Sequence, residues 1–203
     1  MKKNCMFFSA LFLLMLFTIS TAYAKKYIKD KDFVDTGFFT DYNVIEDKGK
    51  NLEWAYIKDG IRFGKYKKII VLTFSSSSSA PQAASLKNEI PEMFYDSLKG
   101  VFQEVEFLEQ VIGPKDFNKI KSLPADAVVM GNIKRIDDRN AAKQFFVGFA
   151  AGEPNVYLEF KIVDTKAGEE VVRIVHDESS NRGVRASAAN VVDDITKFLK
   201  ENK

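Results

Sequence analysis

The chain has 203 residues, of which 30 are Lys or Arg and 28 are Asp or Glu, for a net charge of +2. Two lysines and then an apolar run at 6–20 precede a small-residue cleavage signature that ends at Ala24. This order predicts a secretory signal peptide over residues 1–24, because the apolar run is too short for a comfortable membrane span. Cleavage after Ala24 removes two lysines and no acid, and the balanced charge that remains argues against nucleic acid as a partner.

Cysteine usage narrows the chemistry further. The only cysteine, Cys5, precedes the apolar run, so the mature chain is expected to have no disulfide, no thiolate nucleophile and no cysteine metal site. A bacterial lipoprotein needs its acylated cysteine directly after the apolar run, where this chain has Ala24 and Lys25. We therefore expect a soluble exported protein, periplasmic or extracellular, with an uncleaved leader acting as an anchor as the alternative.

The amino-terminal part of the mature chain is irregular. Residues 25–36 alternate charges and predict a flexible leader, and residues 37–203 are expected to form a single α/β domain. Residues 37–64 are expected to wrap that domain, with a short strand at 53–57 and aromatic anchors at Phe38, Phe39, Tyr42, Trp54 and Tyr56.

The first confident strand is predicted at 66–74, with apolar residues at consecutive positions, as in a strand covered on both faces. Five serines at 75–79 then indicate a loop. Apolar residues recur at helical spacing from Leu86 to Val101, with Pro91 either in the first turn of the helix or at a kink. A short strand at 103–108, a short helix at 115–122 and a long strand at 126–136 follow.

The last third predicts a hairpin and a helix. In a strand at 156–162 the apolar side chains face one way, whereas Tyr157, Glu159 and Lys161 face the other, which is typical of a half-exposed strand. Gly168 supplies a turn into a partner strand at 170–177, and a final amphipathic helix occupies 184–199. The order predicts an α/β (α+β) fold, a two-layer sandwich with a mixed sheet and amphipathic helices on one face.

Two groups of segments carry a resemblance to known families. GNIKRIDDRN at 131–140 and VYLEFKIVDTKAGEEV at 156–171, followed by the terminal helix, resemble an uncharacterised group of exported bacterial lipoprotein-like domains of unknown function. GFFTDYNVIE followed by YKKIIVLTF is similar to the opening of related envelope families. The resemblance implies a periplasmic α/β module with a fold like the amino-terminal domain of TolB and no established catalytic residues. Many members look like lipoproteins, and this chain departs from them in lacking the acylated cysteine.

Residues that could support catalysis have simpler interpretations. His176 is the only histidine and is expected to be a strand-edge residue with ordinary packing, because no second histidine or cysteine could share a metal with it. The serine run at 75–79 lacks the glycines and the lysine of a phosphate loop. Of the acidic pairs, Asp137-Asp138 is interpreted as a strand end and Asp193-Asp194 as a solvated helix face. We predict no catalytic residue, no cofactor and no metal.

The segment QFFVGFAAG at 144–152 is the most informative functional candidate. It is interpreted either as a loop folded onto the core or as a partly exposed apolar lip that meets a partner. Basic residues precede it and suit an acidic partner or an anionic headgroup. The predicted partner-binding residues are Arg135, Arg139, Phe145, Phe146 and Phe149.

Together these observations predict an exported, non-enzymatic binding or adaptor protein of the bacterial envelope, whose partner is another envelope protein or a membrane surface. A small-ligand carrier with an aromatic pocket between residues 37–64 and the sheet is the alternative. A carboxylate-dependent hydrolase is the third hypothesis. The sequence defines no oligomeric state.

Overall fold

The structure is a computed structural model that describes residues 35–48, 52–138 and 152–203. Its strands are β1 (Glu46–Asp47), β2 (Trp54–Ile57), β3 (Lys68–Leu72), β4 (Ser75–Ser76), β5 (Glu104–Leu108), β6 (Ala127–Asp137), β7 (Asn155–Asp164) and β8 (Glu169–Ser179). Its helices are α1 (Ala83–Leu98), α2 (Phe117–Lys121) and α3 (Val184–Glu201), with a 3₁₀ turn at Phe63–Lys65. Of the helices in this part of the chain, none has the length and apolar character needed to cross a bilayer.

The strands form one mixed sheet in the order β1-β2-β8-β7-β6-β3-β5, and β4 pairs with the middle of β6. β3 pairs in parallel with β5 and β6, whereas β6, β7, β8 and β2 pair antiparallel. The predicted hairpin between β7 and β8 is confirmed, and Gly168 takes a positive φ of 68° in its turn. The α/β sandwich with a mixed sheet is therefore confirmed.

Helices α1 and α3 pack on one face of the sheet. Their apolar stripes, which include Phe94 and Ile195, join the inward residues of β3, β6, β7 and β8 in the larger hydrophobic cluster. Pro91 lies in the middle of α1, so of the two alternatives for this residue a position in the first turn is wrong. Because Pro91 has no N–H, the carbonyl of Lys87 loses its helical partner, and it accepts the N–H of Phe74 at 3.2 Å instead. This bond ties α1 to the end of β3.

The other face of the sheet is covered as well. Residues 35–45, which we call the strap, lie on this face together with α2 and the residues around it. The five aromatic anchors expected in residues 37–64 all belong to this cluster, with Phe38 and Phe39 buried and the others partly buried. The expectation that Glu159 and Lys161 of β7 are exposed is wrong, since both are 0% exposed under the strap.

Two smaller expectations also fail. Ser75 and Ser76 form β4 and pair with Asn132 and Ile133, so the predicted serine loop shrinks to the residues that follow them. His176 is not on a strand edge, because β8 runs between β2 and β7, and its side chain is 2% exposed.

Candidate functional site

Polar and charged side chains concentrate at one end of the sheet, where β6 ends, β7 begins and β8 ends. The register pairs Asp137 with Asn155 and Asn155 with Ser179, so the three strand ends lie side by side. We call this region the β6–β7 end. The chain between these two strands contains Arg139, Phe145, Phe146 and Phe149, four of the five predicted partner-binding residues, and they lie outside the described residues.

Arg135 is the fifth, and it lies at the β6–β7 end with its guanidinium held in place. The guanidinium carbon is 3.9 Å from the centroid of the Tyr157 ring, and Nε is 3.0 Å from Oδ2 of Asp137. A guanidinium stacked on an aromatic ring keeps a fixed orientation while its edge remains available for bidentate hydrogen bonds. The Arg135 side chain is 47% exposed, so it can meet a carboxylate or phosphate from solution.

An ordered row of side chains continues from Arg135 across the sheet. The register places Tyr157 beside Arg135 and Asp177 beside Tyr157. Beyond them, a hydrogen bond joins the carboxyl groups of Glu53 and Asp177, and Asn155 donates its amide to Asp177. Burial of its carboxyl group, followed by the Asp177 hydrogen bond and charge, raises the pKa of Glu53 to about 8. The row therefore has a positive charge at Arg135 and a carboxyl group of raised pKa at Glu53.

A second group lies on the opposite face of β8. Nε2 of His176 is 3.3 Å from Oδ2 of Asp194 on α3 and 3.7 Å from Oε1 of Glu178. The N–H of Glu53 donates to Nδ1 of His176 at 3.4 Å. Asp193 is exposed and Asp194 is partly exposed, in line with the solvated helix face that was expected, but Asp194 also contacts the His176 ring. The i, i+2 spacing of His176 and Glu178 predicts a shared strand face, whereas nothing local in the sequence places Asp194 beside them.

A buried ionic network joins the strap to the sheet. Nζ of Lys161 donates to the carbonyl oxygens of Phe38 and Pro114 at 2.7 and 2.6 Å and to Oε1 of Glu170 at 2.7 Å. Arg173 donates to the other Glu170 oxygen at 2.6 Å. Burial alone would raise the pKa of Glu170, but the charge and hydrogen bond of Lys161 outweigh it and hold the pKa below its usual value.

Beside this ionic network, Glu159 holds the start of the strap. Its carboxylate accepts hydrogen bonds from Thr36 Oγ1 at 2.6 Å, Tyr42 OH at 2.9 Å and Asn132 Nδ2 at 2.7 Å. Burial, followed by the charge of Glu159, raises the pKa of Tyr42, which keeps its hydroxyl protonated and donating. The place where the carrier hypothesis put its aromatic pocket is thus filled by these contacts and by Phe38 and Phe39, each 3% exposed or less.

The predicted acidic strand end has ordinary partners. Asp137 pairs with Arg135, and Asp138 accepts a hydrogen bond from Nε2 of Gln82 at 2.8 Å. The two carboxylates are thereby turned to different neighbours and do not face each other across a cleft. This arrangement gives the hydrolase hypothesis no support at this position.

Comparison with known proteins places the chain among uncharacterised domains. Residues 69–183 match a family model described as "Domain of unknown function (DUF4410)". A search of curated proteins finds no match.

Solved structures with a similar fold include the PelC dodecamer from Paraburkholderia phytofirmans, with 15% identity and a TM-score of 0.51 over 72% of this chain and 96% of that one. A single-residue variant of that dodecamer has 15% identity and a TM-score of 0.54 over 72% of this chain and 98% of that one. Lipoprotein GNA1162 from Neisseria meningitidis has 10% identity and a TM-score of 0.37 over 66% of this chain and 96% of that one. At these identities the PelC structures show a shared fold alone. The predicted likeness to TolB stays a prediction.

Proposed function

The chain belongs to the DUF4410 family of domains of unknown function, and we propose that it is an exported, non-enzymatic adaptor of the bacterial envelope that binds a partner at the β6–β7 end. In this proposal residues 1–24 are removed on export, residues 25–36 form a leader and residues 37–203 fold as one domain. The partner is another envelope protein with an acidic surface.

The observation that carries the proposal is the Arg135–Tyr157 stack. It holds an exposed cation near the end of β6, and the aromatic segment 144–152 follows in the sequence. Arginine and aromatic residues are enriched at the centres of protein interfaces, and a guanidinium held on a tyrosine ring has this composition. Arg139, Phe145, Phe146 and Phe149 would extend the same surface.

The proposal is tested by exchanging residues at the β6–β7 end and recovering partners from the envelope by crosslinking. Arg135→Ala and a triple change of Phe145, Phe146 and Phe149 to Ser are each expected to reduce the yield of the same crosslinked protein. Lys99→Ala is the matched control, because Lys99 also stacks on an aromatic ring, that of Tyr95 at 3.7 Å, but on α1. An unchanged set of partners in folded variants would overturn the proposal, as would unfolding of the triple variant together with an unaffected Arg135→Ala.

A membrane surface is the other partner that the aromatic and basic residues would suit. Flotation of the protein with vesicles that contain anionic lipid separates the two cases. The proposal expects the same low binding to anionic and neutral vesicles, because the described chain has an exposed arginine at this end and not a basic patch. Binding to anionic vesicles that depends on Arg135 would replace the protein partner with a lipid surface.

Self-association is a second candidate function. The two PelC structures are described as dodecamers, and the shared fold makes assembly into a closed oligomer a defined alternative for this chain. Native mass spectrometry of the mature protein decides it. A single closed oligomer that Arg135→Glu breaks into monomers would support self-association through the β6–β7 end, and a monomer at micromolar concentration would overturn it.

Export itself has a direct test. Mass spectrometry of the protein from the envelope is expected to show a chain that begins at Lys25. A protein recovered from the cytoplasm with residues 1–24 intact would overturn the proposed location.

A further inference from the structure

The group on the helical face of β8 has the chemistry of a transition-metal site. We infer that His176, Glu178 and Asp194 bind one divalent transition-metal ion of the zinc type through Nε2 and one oxygen from each carboxylate. This site does not depend on the proposed partner surface, because Asp177 and Arg135 lie on the opposite face of the sheet. Imidazole and carboxylate are both ordinary zinc ligands.

The spacing of the three ligand atoms is close to what such an ion requires. In a tetrahedral site with bonds of about 2.0–2.2 Å, neighbouring ligand atoms lie about 3.4 Å apart. The observed distances from Nε2 are 3.3 Å to Asp194 Oδ2 and 3.7 Å to Glu178 Oε1. All three ligand atoms lie within 4.8 Å of one another, so a small side-chain adjustment completes the triangle.

Burial of the histidine separates this group from an ordinary surface cluster of acids. His176 is 2% exposed, and its Nε2 is directed at two carboxylates that reach it from different elements, β8 and α3. The ligand atoms of those carboxylates lie within 4.8 Å of the imidazole and of each other, and a bound cation would offset the repulsion between the two acids.

The site is also open to solvent on one side. The side chains of Glu178 and Asp194 are 34% and 32% exposed. Asp194 also lines a cavity of about 250 Å³ whose wall includes Lys197 and Phe198 of the same helix. The two carboxylates are therefore accessible from solution, and three protein ligands leave a fourth position for water or an exogenous ligand.

Metal binding predicts a defined change at the ring. The contact from the Glu53 N–H leaves Nδ1 as an acceptor and puts the proton on Nε2. A metal at Nε2 requires the proton to move to Nδ1, so the Glu53 N–H must give up this contact. The nitrogen shifts of the His176 ring and the amide shift of Glu53 should both change with one equivalent of metal.

The test uses the untagged chain, stripped with a chelator and dialysed, and the probes are Zn²⁺ and Co²⁺ alone. We expect one Zn²⁺ per chain by calorimetry, a rise in Tm with saturating metal, and the visible absorption of four-coordinate Co²⁺. Asp194→Asn and Glu178→Gln, both on the rim of the site, should fold and bind at least about tenfold more weakly. Asp193→Asn, its exposed neighbour on α3, is the matched control and should bind like the original chain.

His176→Gln tests the buried ligand, but this residue is packed in the core and its variant can fail to fold. The ring-nitrogen shifts of the original chain provide the same information without a substitution. The inference is overturned if Zn²⁺ does not bind stoichiometrically, if Asp194→Asn and Asp193→Asn bind equally well, or if binding leaves the His176 nitrogens unchanged.

Discussion

Nζ of Lys161 lies 2.7 Å from Oε1 of Glu170, and both side chains are completely buried. The pair is stable in this place because the ammonium and the carboxylate each have further hydrogen-bond partners. The backbone of the strap supplies an acceptor at Phe38, and Arg173 and Thr40 bind the second Glu170 oxygen. Buried ions of this kind are costly to desolvate, but their hydrogen bonds hold the backbone of the strap at Phe38 and Thr40 against β7 and β8.

Removing one member of this pair should be strongly destabilising. Lys161→Met leaves the Glu170 charge and two carbonyl oxygens without their donor, and we expect a loss of about 3–5 kcal/mol in the free energy of unfolding. Urea denaturation measures it. Lys58→Met, which breaks the exposed pair with Glu169, is the control and should cost less than about 1 kcal/mol. Equal losses in the two variants would contradict the role given to Lys161.

The contacts of Glu159 should hold the beginning of the strap. Tyr42→Phe removes a hydroxyl that donates to Glu159 at 2.9 Å and keeps the ring that packs on Phe39. We expect a loss of about 1–3 kcal/mol, because a buried carboxylate loses a donor. Hydrogen exchange should accelerate in residues 36–45 and remain slow in the hairpin of β7 and β8. Uniform acceleration through the sheet would mean that the strap does not open by itself.

Gly131 should tolerate no side chain. A Cβ at this position in β6 would overlap the ring of Phe74, which lies directly over it. We expect Gly131→Ala to cost about 1–3 kcal/mol by overpacking, measured by thermal unfolding. Gly64→Ala is the control, since a Cβ there has open space around it. In the Gly131→Ala background Phe74→Leu should recover part of the loss, and an absence of recovery would contradict this cause.

A fall in pH should destabilise the turn that joins β7 to β8. Burial alone would raise the pKa of Asp164, but the Ala167 N–H, Lys65 and the Tyr66 hydroxyl outweigh it and hold the pKa below the usual 3.8. A carboxyl group whose pKa is lowered by folding stabilises the fold above its unfolded pKa, and this contribution is lost as the pH falls through the folded value.

We therefore expect Asp164→Asn to lose about 1–2 kcal/mol at pH 7 and progressively less below about pH 4. Urea unfolding at pH 7 and below about pH 4 measures the difference in the free energy of unfolding between this variant and the original chain. Asp96→Asn changes an exposed carboxylate on α1 and should show a small effect at both. A constant deficit for Asp164→Asn across the pH range would contradict the linkage.

Local patterns were sufficient to predict the layers of the fold. The apolar spacing from Leu86 to Leu98 and from Val184 to Leu199 marks the buried stripes of α1 and α3, because both helices have one face on the sheet. The alternation in β7 correctly separates Leu158 from Glu159. It could not reveal that Glu159 is covered, since the covering residues, Thr36 and Tyr42, are more than 100 positions away in sequence.

The two candidate sites also differ in how far the sequence could indicate them. Arg135 could be proposed from the sequence because it precedes an unusual aromatic segment in the chain. The His176 group was not, because Asp194 reaches the ring from a helix and its neighbour Asp193 points to solvent, as the pair was expected to do. Two adjacent carboxylates on a helix face differ by about 100° around the axis, and the sequence does not say which of them meets a distant strand.

The long-range contacts of the strap also limit the order in which the chain can fold. Thr36 and Tyr42 are synthesised well before their partner Glu159, which follows 123 and 117 positions later. Since the acceptor does not yet exist, the earliest-made part of the described chain must wait for the last strands before it can settle. Contacts of such long sequence separation are slow to form. A newly made chain therefore passes through a stage in which the strap does not yet cover its face of the sheet. A chaperone would recognise the exposed face during that interval.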